Sequence, residues 1–124
     1  MNRVNNVREL EIYQGAFALQ QAIFEHSKSF PKEERYSLTD QIRRSSRSIG
    51  ANLSEAWSKR RYPAHFLSKL TDADGELQET LHWMASAEAC GYVDSAVCSD
   101  LHAQAVAIGR QLGSMIRQHE AFCF

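Results

Sequence analysis

The chain has 124 residues, of which 44% are hydrophobic and 23% are charged, and its formal net charge is −1. This length suits one domain with a self-sufficient core, and the fractions are close to globular averages, which argues against disorder. No apolar run approaches the roughly 18 residues that cross a bilayer, and the polar start MNRVNNVREL lacks the apolar stretch of a signal peptide. We therefore expect a cytoplasmic protein with no membrane partner.

Apolar residues recur at helical spacing through four segments, and no segment keeps the period of two that a strand needs. We predict helices over approximately 7–29, 32–60, 63–89 and 94–118. Pro31 and Pro63 lie where the apolar periodicity stops and restarts, while Gly91 and Asp94 suit a left-handed helix end and an N-cap. Residues 1–124 thus predict a single all-α domain, an antiparallel up-down-up-down four-helix bundle.

The first predicted helix carries two adjacent apolar rows, which is more than one core face needs. The rows are Leu10, Tyr13, Phe17 and Phe24, and beside them Ile12, Ala16, Leu19 and Ile23. Glycines inside predicted helices cost about 0.5–1 kcal/mol each relative to alanine, so they indicate close approach between helices. They are Gly15, Gly50, Gly75, Gly109 and Gly113. Together the extra row and the glycines predict a homo-oligomer.

Charge is unevenly distributed along the chain. Residues 35–61 carry seven cations and two acids, a balance of +5, whereas residues 63–90 carry one cation and five acids, a balance of −4. Guanidinium and hydroxyl groups hydrogen-bond phosphate oxygens, so the basic second helix predicts contact with the backbone of RNA or DNA. The candidate nucleic-acid-binding residues are Arg43, Arg44, Arg47, Lys59, Arg60 and Arg61.

The same cations have two other interpretations. Cations in a last helical turn complement the helix dipole, and Asp40 lies three and four residues before Arg43 and Arg44, where it can pair with either. Alternatively, the arginines bind acids of a neighbouring subunit. The candidate residues for such an oligomer interface or polar network are Asn52, Glu55, Asp74 and Glu76. This alternative describes a ring-forming interaction scaffold or adaptor with no nucleic-acid binding of its own.

Candidates for catalysis and metal binding are sparse, so we predict no enzyme, no cofactor and no metal. Glu79 and His82 form one ExxH motif, whereas di-iron bundles need two copies and further carboxylates, and helical geometry places both away from the core. Cys98 and His102 lie one turn apart, but zinc needs further ligands that cannot be identified. No nucleophile elbow or phosphate-binding loop motif occurs.

A set of residues around the second helix follows a known pattern. Gln41-Ile42-Arg43-Arg44, Ser48-Ile49 and Asn52-Leu53-Ser54-Glu55-Ala56 match the signature Q-I-R-R, S-I and N-I-A-E-G. Further matches are Phe30-Pro31, Tyr36 and Leu38 upstream, and Phe66, Ala73, Gly75, Leu77, Glu79 and Gly91-Tyr92 downstream. With this pattern the sequence resembles the bundle proteins encoded within intervening sequences of bacterial 23S ribosomal RNA genes, which also resemble accessory proteins of diversity-generating retroelements.

The resemblance implies a soluble bundle that assembles as a ring, a homopentamer, and that binds ribosomal RNA, another structured nucleic acid or a protein that processes it. Two departures from the family pattern bear on this expectation. Ala56 replaces a glycine, and Asp74 and Glu76 replace a basic residue and a serine. The added negative charge opposes RNA binding if the third helix lines the binding surface, and it complements the second helix if the two meet across a subunit boundary.

Overall fold

The computed structural model describes residues 6–124, and within this range the chain forms four α-helices. They are α1 (Glu11–Ser27), α2 (Leu38–Ser58), α3 (Pro63–Ala89) and α4 (Ser95–Arg117). Each helix packs against the one before and the one after it, and α4 returns to α1, most extensively between α2 and α3. The predicted all-α class and the antiparallel up-down-up-down bundle are therefore confirmed.

The first two helices begin later than the predicted residues 7 and 32. Short 3₁₀ turns occupy those starts, at Val7–Glu9 and Lys32–Glu34. In the second case the Glu34 carboxylate accepts a hydrogen bond from the Ser37 hydroxyl at 2.6 Å, and its Oε1 lies 3.4 Å from the Leu38 amide nitrogen. The turn thus places an acidic side chain at the N-terminus of α2, where free backbone N–H groups need acceptors.

The break between α3 and α4 is formed as predicted. Gly91 adopts a φ of +76°, and the amides of Gly91 and Tyr92 donate to the carbonyls of Glu88 and Ala87, which is the Schellman pattern that ends a helix. Asp94 then caps α4, since its carboxylate accepts a hydrogen bond of 2.8 Å from the Val97 amide. The left-handed glycine and the N-cap predicted from the sequence are confirmed.

The core lies between the four helices, and one of the two apolar rows of α1 is buried in it. The buried row is Ile12, Ala16, Leu19 and Ile23. The other row lies outside it, with Leu10, Tyr13 and Phe24 half-buried and Phe17 39% exposed. Between α2 and α3 the core also contains a hydroxyl pair, Ser45 and Thr80, whose oxygens are 2.9 Å apart. None of the helices described is long and apolar enough to cross a membrane.

The helix-interior glycines do not mark unusually close helix approach within one chain, contrary to the prediction. An added Cβ at Gly15 would lie 3.5 Å from Ile108, which is an ordinary van der Waals distance. At Gly75, which is exposed on α3, an added Cβ would have nothing within 4 Å. Alanine would therefore fit at both positions.

Candidate nucleic-acid interface

The predicted cations of α2 divide between two sides of the helix, because consecutive helical residues are about 100° apart. We call the side that faces the first helix the α1 flank, defined by Arg43 and Arg47. The side that faces the third helix is the α3 flank, defined by Arg44 and Glu55. The two flanks differ in what their charged groups contact.

On the α1 flank, two guanidinium groups cover one aromatic ring. The guanidinium carbons of Arg43 and Arg47 lie 4.8 and 5.3 Å from the centroid of Phe24. Arg43 Nε also donates a 2.7 Å hydrogen bond to Ser27 Oγ, and that hydroxyl donates in turn to the Phe24 carbonyl at 2.8 Å. Within residues 6–124, neither arginine forms an ion pair with a carboxylate. The flank therefore presents uncompensated positive charge.

On the α3 flank, the guanidinium of Arg44 binds two acids of α3. Arg44 Nη1 lies 3.3 Å from Glu76 Oε2, and Nη2 donates to Glu79 Oε2, which also accepts a 3.1 Å hydrogen bond from Trp83 Nε1. The Trp83 bond and then Arg44 hold the pKa of Glu79 below its usual range, while the bond to Glu79 raises the pKa of Arg44. Arg44 therefore joins α2 to α3 through two ion pairs.

Of the other predicted interface residues, Glu55 and Asn52 bind groups of their own chain. Glu55 pairs with Lys69 of α3 at 2.7 Å, which raises the pKa of Lys69. Asn52 donates a 2.9 Å hydrogen bond to the Ser48 carbonyl of its own helix. Asp74 is half-buried on α3 and takes part in none of the ion pairs of the described chain.

The three cations at the end of α2 lie beyond its last helical residue, Ser58. Lys59 and Arg61 are exposed. Arg60 is stacked, with its guanidinium carbon 3.8 Å from the centroid of Trp57 and 5.1 Å from that of the Phe124 ring. A stacked guanidinium of this kind joins the C-terminal segment to α2.

Three interpretations drawn from the sequence change with this geometry. The pairing of Asp40 with Arg43 or Arg44 is wrong, because Arg43 binds Ser27 and Arg44 binds acids of α3. The helix-dipole interpretation is weakened, because α2 has no cation in its last turn. Glu76, proposed as a partner for arginines of another subunit, pairs with Arg44 of its own chain.

Sequence reasoning missed the contribution of α1 to this surface. Phe24 and Ser27 support the arginines, and Lys28 lies beside them with Nζ 4.9 Å from the Phe24 centroid. The available signal was the second apolar row of α1, whose member Phe24 is covered by cations.

The enzyme candidates do not come together into a site. Glu79 lies outside the apolar core, with its side chain 34% exposed at the edge of the contact between α2 and α3, and His82 of the same ExxH is exposed. Burial and the nearby Glu88 raise the pKa of Cys98, which disfavours a reactive thiolate. In the described part of the chain, no group of three or more His, Cys, Asp or Glu side chains is placed to hold a metal ion.

Comparisons with known proteins place this geometry in a family. The model of the family described as 23S rRNA-intervening sequence protein matches residues 8–114. A crystal structure of a protein of unknown function from the S23 ribosomal protein family of Bacteroides thetaiotaomicron is similar at 26% identity, with a TM-score of 0.77. The match covers 86% of this chain and 95% of that one. A search of curated proteins gives no significant match. The chain belongs to the 23S rRNA-intervening sequence protein family.

Proposed function

We propose that this protein is a non-enzymatic, oligomeric bundle that binds the phosphate backbone of structured RNA through the α1 flank of α2. The observation that carries the proposal is the pair of guanidinium groups of Arg43 and Arg47, stacked on Phe24 without a carboxylate partner among the described residues. The family description and the name of the similar solved protein, which refer to ribosomal RNA and to a ribosomal protein family, support RNA as the polymer.

The physical argument for RNA rests on where the charge is compensated. A surface arginine that is paired with two acids gains little from a phosphate, because binding would first have to break the existing contacts. An arginine that rests on an aromatic ring keeps its hydrogen-bond donors available and is held in place, which lowers the entropy lost on binding. By this argument Arg43 and Arg47 are the main proposed contact residues. Lys59 and Arg61 are added as further cations because both are exposed beyond the end of α2. Arg44 and Arg60 are left out because Arg44 pairs with two acids and Arg60 stacks on Trp57.

Self-association is the second part of the proposal. Phe17 is 39% exposed on α1, and a groove between α1 and α4 is lined mainly by small and uncharged side chains. They include Gln14, Gly15, Ala18, Gln104, Ala107 and Gln111. The groove is also lined by one acid, Glu11. An exposed aromatic on α1 together with this mostly uncharged groove favours contact with a second copy. The pentamer implied by the family resemblance stays a prediction, as does the alternative of a ring-forming scaffold that does not bind nucleic acid.

The test of RNA binding is a salt series with a fluorescently labelled hairpin RNA. If several phosphates are neutralised, affinity should fall steeply between about 50 and 200 mM salt. Replacing Arg43, Arg47 and Arg61 with Gln should weaken binding and reduce the salt slope by roughly one unit per lost contact. Arg110→Gln is the matched control, since Arg110 is an exposed arginine of α4, which packs on α1 and α3.

Light scattering on the same samples tests the assembly. A mass near 14.1 kDa would contradict self-association, and a mass near five times that value would agree with the family resemblance. If the wild type binds no RNA at low salt and the triple variant loses its oligomeric state, the scaffold alternative replaces the RNA proposal.

A further inference from the structure

A basic groove lies where α1 passes into α2, and three of its four cations, Lys28, Lys32 and Arg35, are not among the candidates named from the sequence. Its volume is about 430 Å³, and it is lined by four cations and two hydroxyl groups together with Phe30 and Pro31. The polar lining residues are Ser27, Lys28, Lys32, Arg35, Thr39 and Arg43. Among the described residues, no carboxylate lines the groove.

Arg43 is held in this groove by a hydrogen bond to a buried side chain. Its Nε is bound to Ser27 Oγ at 2.7 Å, and Ser27 is only 2% exposed, so the hydroxyl cannot move away without breaking its own bond to the Phe24 carbonyl. An arginine has five N–H donors, and this bond uses the one on Nε. The two terminal nitrogens have no hydrogen-bond acceptor within residues 6–124, and they form the end of the guanidinium that binds phosphate with two parallel bonds.

Thr39 lies one helical turn before Arg43 on α2 and is 8% exposed. Its hydroxyl takes part in none of the side-chain hydrogen bonds found among the described residues, and it is not among the buried atoms that lack a partner, so it faces the groove that Thr39 lines. An anion in the groove would accept a hydrogen bond from this hydroxyl. Thr39 thus offers a second donor beside Arg43.

One acid near the groove, Glu34, is bound to other residues. Glu34 binds Ser37 and accepts a 2.8 Å hydrogen bond from the Tyr92 hydroxyl at the start of the α3–α4 connection. Its neighbour Lys32 makes no ion pair in the described structure, and Arg35 stacks on Tyr36 with its guanidinium carbon 5.8 Å from the ring centroid. Of the four cations, Lys28 alone forms an ion pair within residues 6–124, with Glu25 at 3.1 Å.

We infer that this groove binds one phosphodiester group of the RNA backbone, with Arg43 as the two-donor anchor, the Thr39 hydroxyl as a second donor and Lys32 and Arg35 neutralising the charge. The inference rests on the proposed function for the source of the phosphate. The inference places a groove for one phosphate next to the α1 flank. It also assigns a binding role to Lys32 and Arg35, which precede α2.

The experiment compares the double variant Lys32→Gln/Arg35→Gln with the double variant Arg110→Gln/Arg117→Gln, which removes the same charge from α4. Binding of the labelled hairpin RNA is measured from about 50 to 200 mM salt. The groove variant should bind about tenfold or more weakly, with a salt slope lower by about two units, while the control changes little. Thr39→Val should weaken binding about fivefold, which corresponds to the loss of one hydrogen bond of about 1 kcal/mol. Circular dichroism checks that each variant is folded.

A direct measurement follows the Arg43 Nε–H signal by NMR while either the hairpin RNA or inorganic phosphate is added. The signal should shift and saturate with RNA at much lower concentration than with inorganic phosphate. If RNA binds the wild type and the groove variant equally well, the groove inference is wrong and the proposed function stands. If no RNA binds the wild type, both fail. If inorganic phosphate saturates the signal and RNA does not, the groove is specific for small phosphate compounds and the RNA source is wrong.

Discussion

Arg43 and Arg44 are consecutive in the chain, yet their surroundings differ in almost every respect. Arg44 joins α2 to α3 through Glu76 and Glu79, whereas Arg43 rests on Phe24 of α1 and makes its only side-chain hydrogen bond within the described chain to Ser27. The first arrangement neutralises charge and stabilises the bundle. The second holds a guanidinium in place and leaves its charge available. A basic segment can therefore hold the fold together on one side of a helix and bind a ligand on the other.

The largest expected effect concerns the buried hydroxyl pair between α2 and α3, beneath the α3 flank. Thr80→Val removes the hydroxyl that lies 2.9 Å from Ser45 Oγ and leaves Ser45 with one long contact, 3.4 Å to the Ile42 carbonyl. Since both residues are fully buried, we expect a loss of about 1–3 kcal/mol in the free energy of unfolding, measured in urea. Adding Ser45→Ala to Thr80→Val should restore part of the lost free energy of unfolding, because the unpaired Ser45 hydroxyl is then removed. A single variant as stable as the wild type would contradict the structural role of this hydroxyl pair.

The next expected effect compares the two neighbouring arginines directly. Arg43→Gln should weaken binding of the hairpin RNA about tenfold at 50 mM salt and lower the salt slope by about one unit, with little change in stability. Arg44→Gln should leave RNA affinity within about twofold and should lower the free energy of unfolding by up to about 1 kcal/mol, since its partners are partly exposed. Equal losses of affinity in both variants would remove the distinction between the flanks.

The sequence predicts only part of the difference between Arg43 and Arg44. Helical periodicity placed Ile42 and Ile49 in the core, and turn chemistry placed Gly91 and Asp94 at the α3–α4 break, because both signals depend on local geometry. Periodicity also separates Arg43 from Arg44 by about 100°. It does not say which neighbouring helix lies on which side, because that depends on the way the four helices surround the core.

The contacts that distinguish the flanks join residues that are distant in sequence. Phe24 and Ser27 precede Arg43 by more than four helical turns of chain, and Glu79 follows Arg44 by 35 positions. Charge counting correctly noticed that the second and third helices are oppositely charged, yet it could not tell a contact within the chain from one between subunits. The late start of α2 depends on Glu34 capping it from a 3₁₀ turn, which no apolar pattern signals.

A smaller effect tests a third surface, the outer face of α3, which belongs to neither flank. Gly75→Ala should raise the free energy of unfolding by about 0.5–1 kcal/mol, because alanine is the better helix former and the added carbon would meet nothing within 4 Å. Thermal unfolding and light scattering check the result. A variant that loses oligomeric mass would show that a second copy covers this face of α3. A variant that only loses stability would contradict the expected gain from the better helix former.

The smallest expected effect is the pH dependence of the ion pair on the α3 flank. The hydrogen bond from Trp83 and the charge of Arg44 lower the pKa of Glu79 from its reference value of 4.5, so the ionised carboxylate stabilises the folded state. That contribution is present above pH 4.5 and is lost as the pH falls through the folded-state pKa.

Glu79→Gln tests this contribution, because it keeps an acceptor for Trp83 and removes only the charge. We expect it to be less stable than the wild type at neutral pH by less than about 1 kcal/mol, because the side chain is one-third exposed. Urea unfolding at a series of pH values should show this difference shrinking below pH 4.5. A difference that stays constant into acid would mean that shape rather than charge holds Arg44, and the electrostatic contrast between the two flanks would then have to be abandoned.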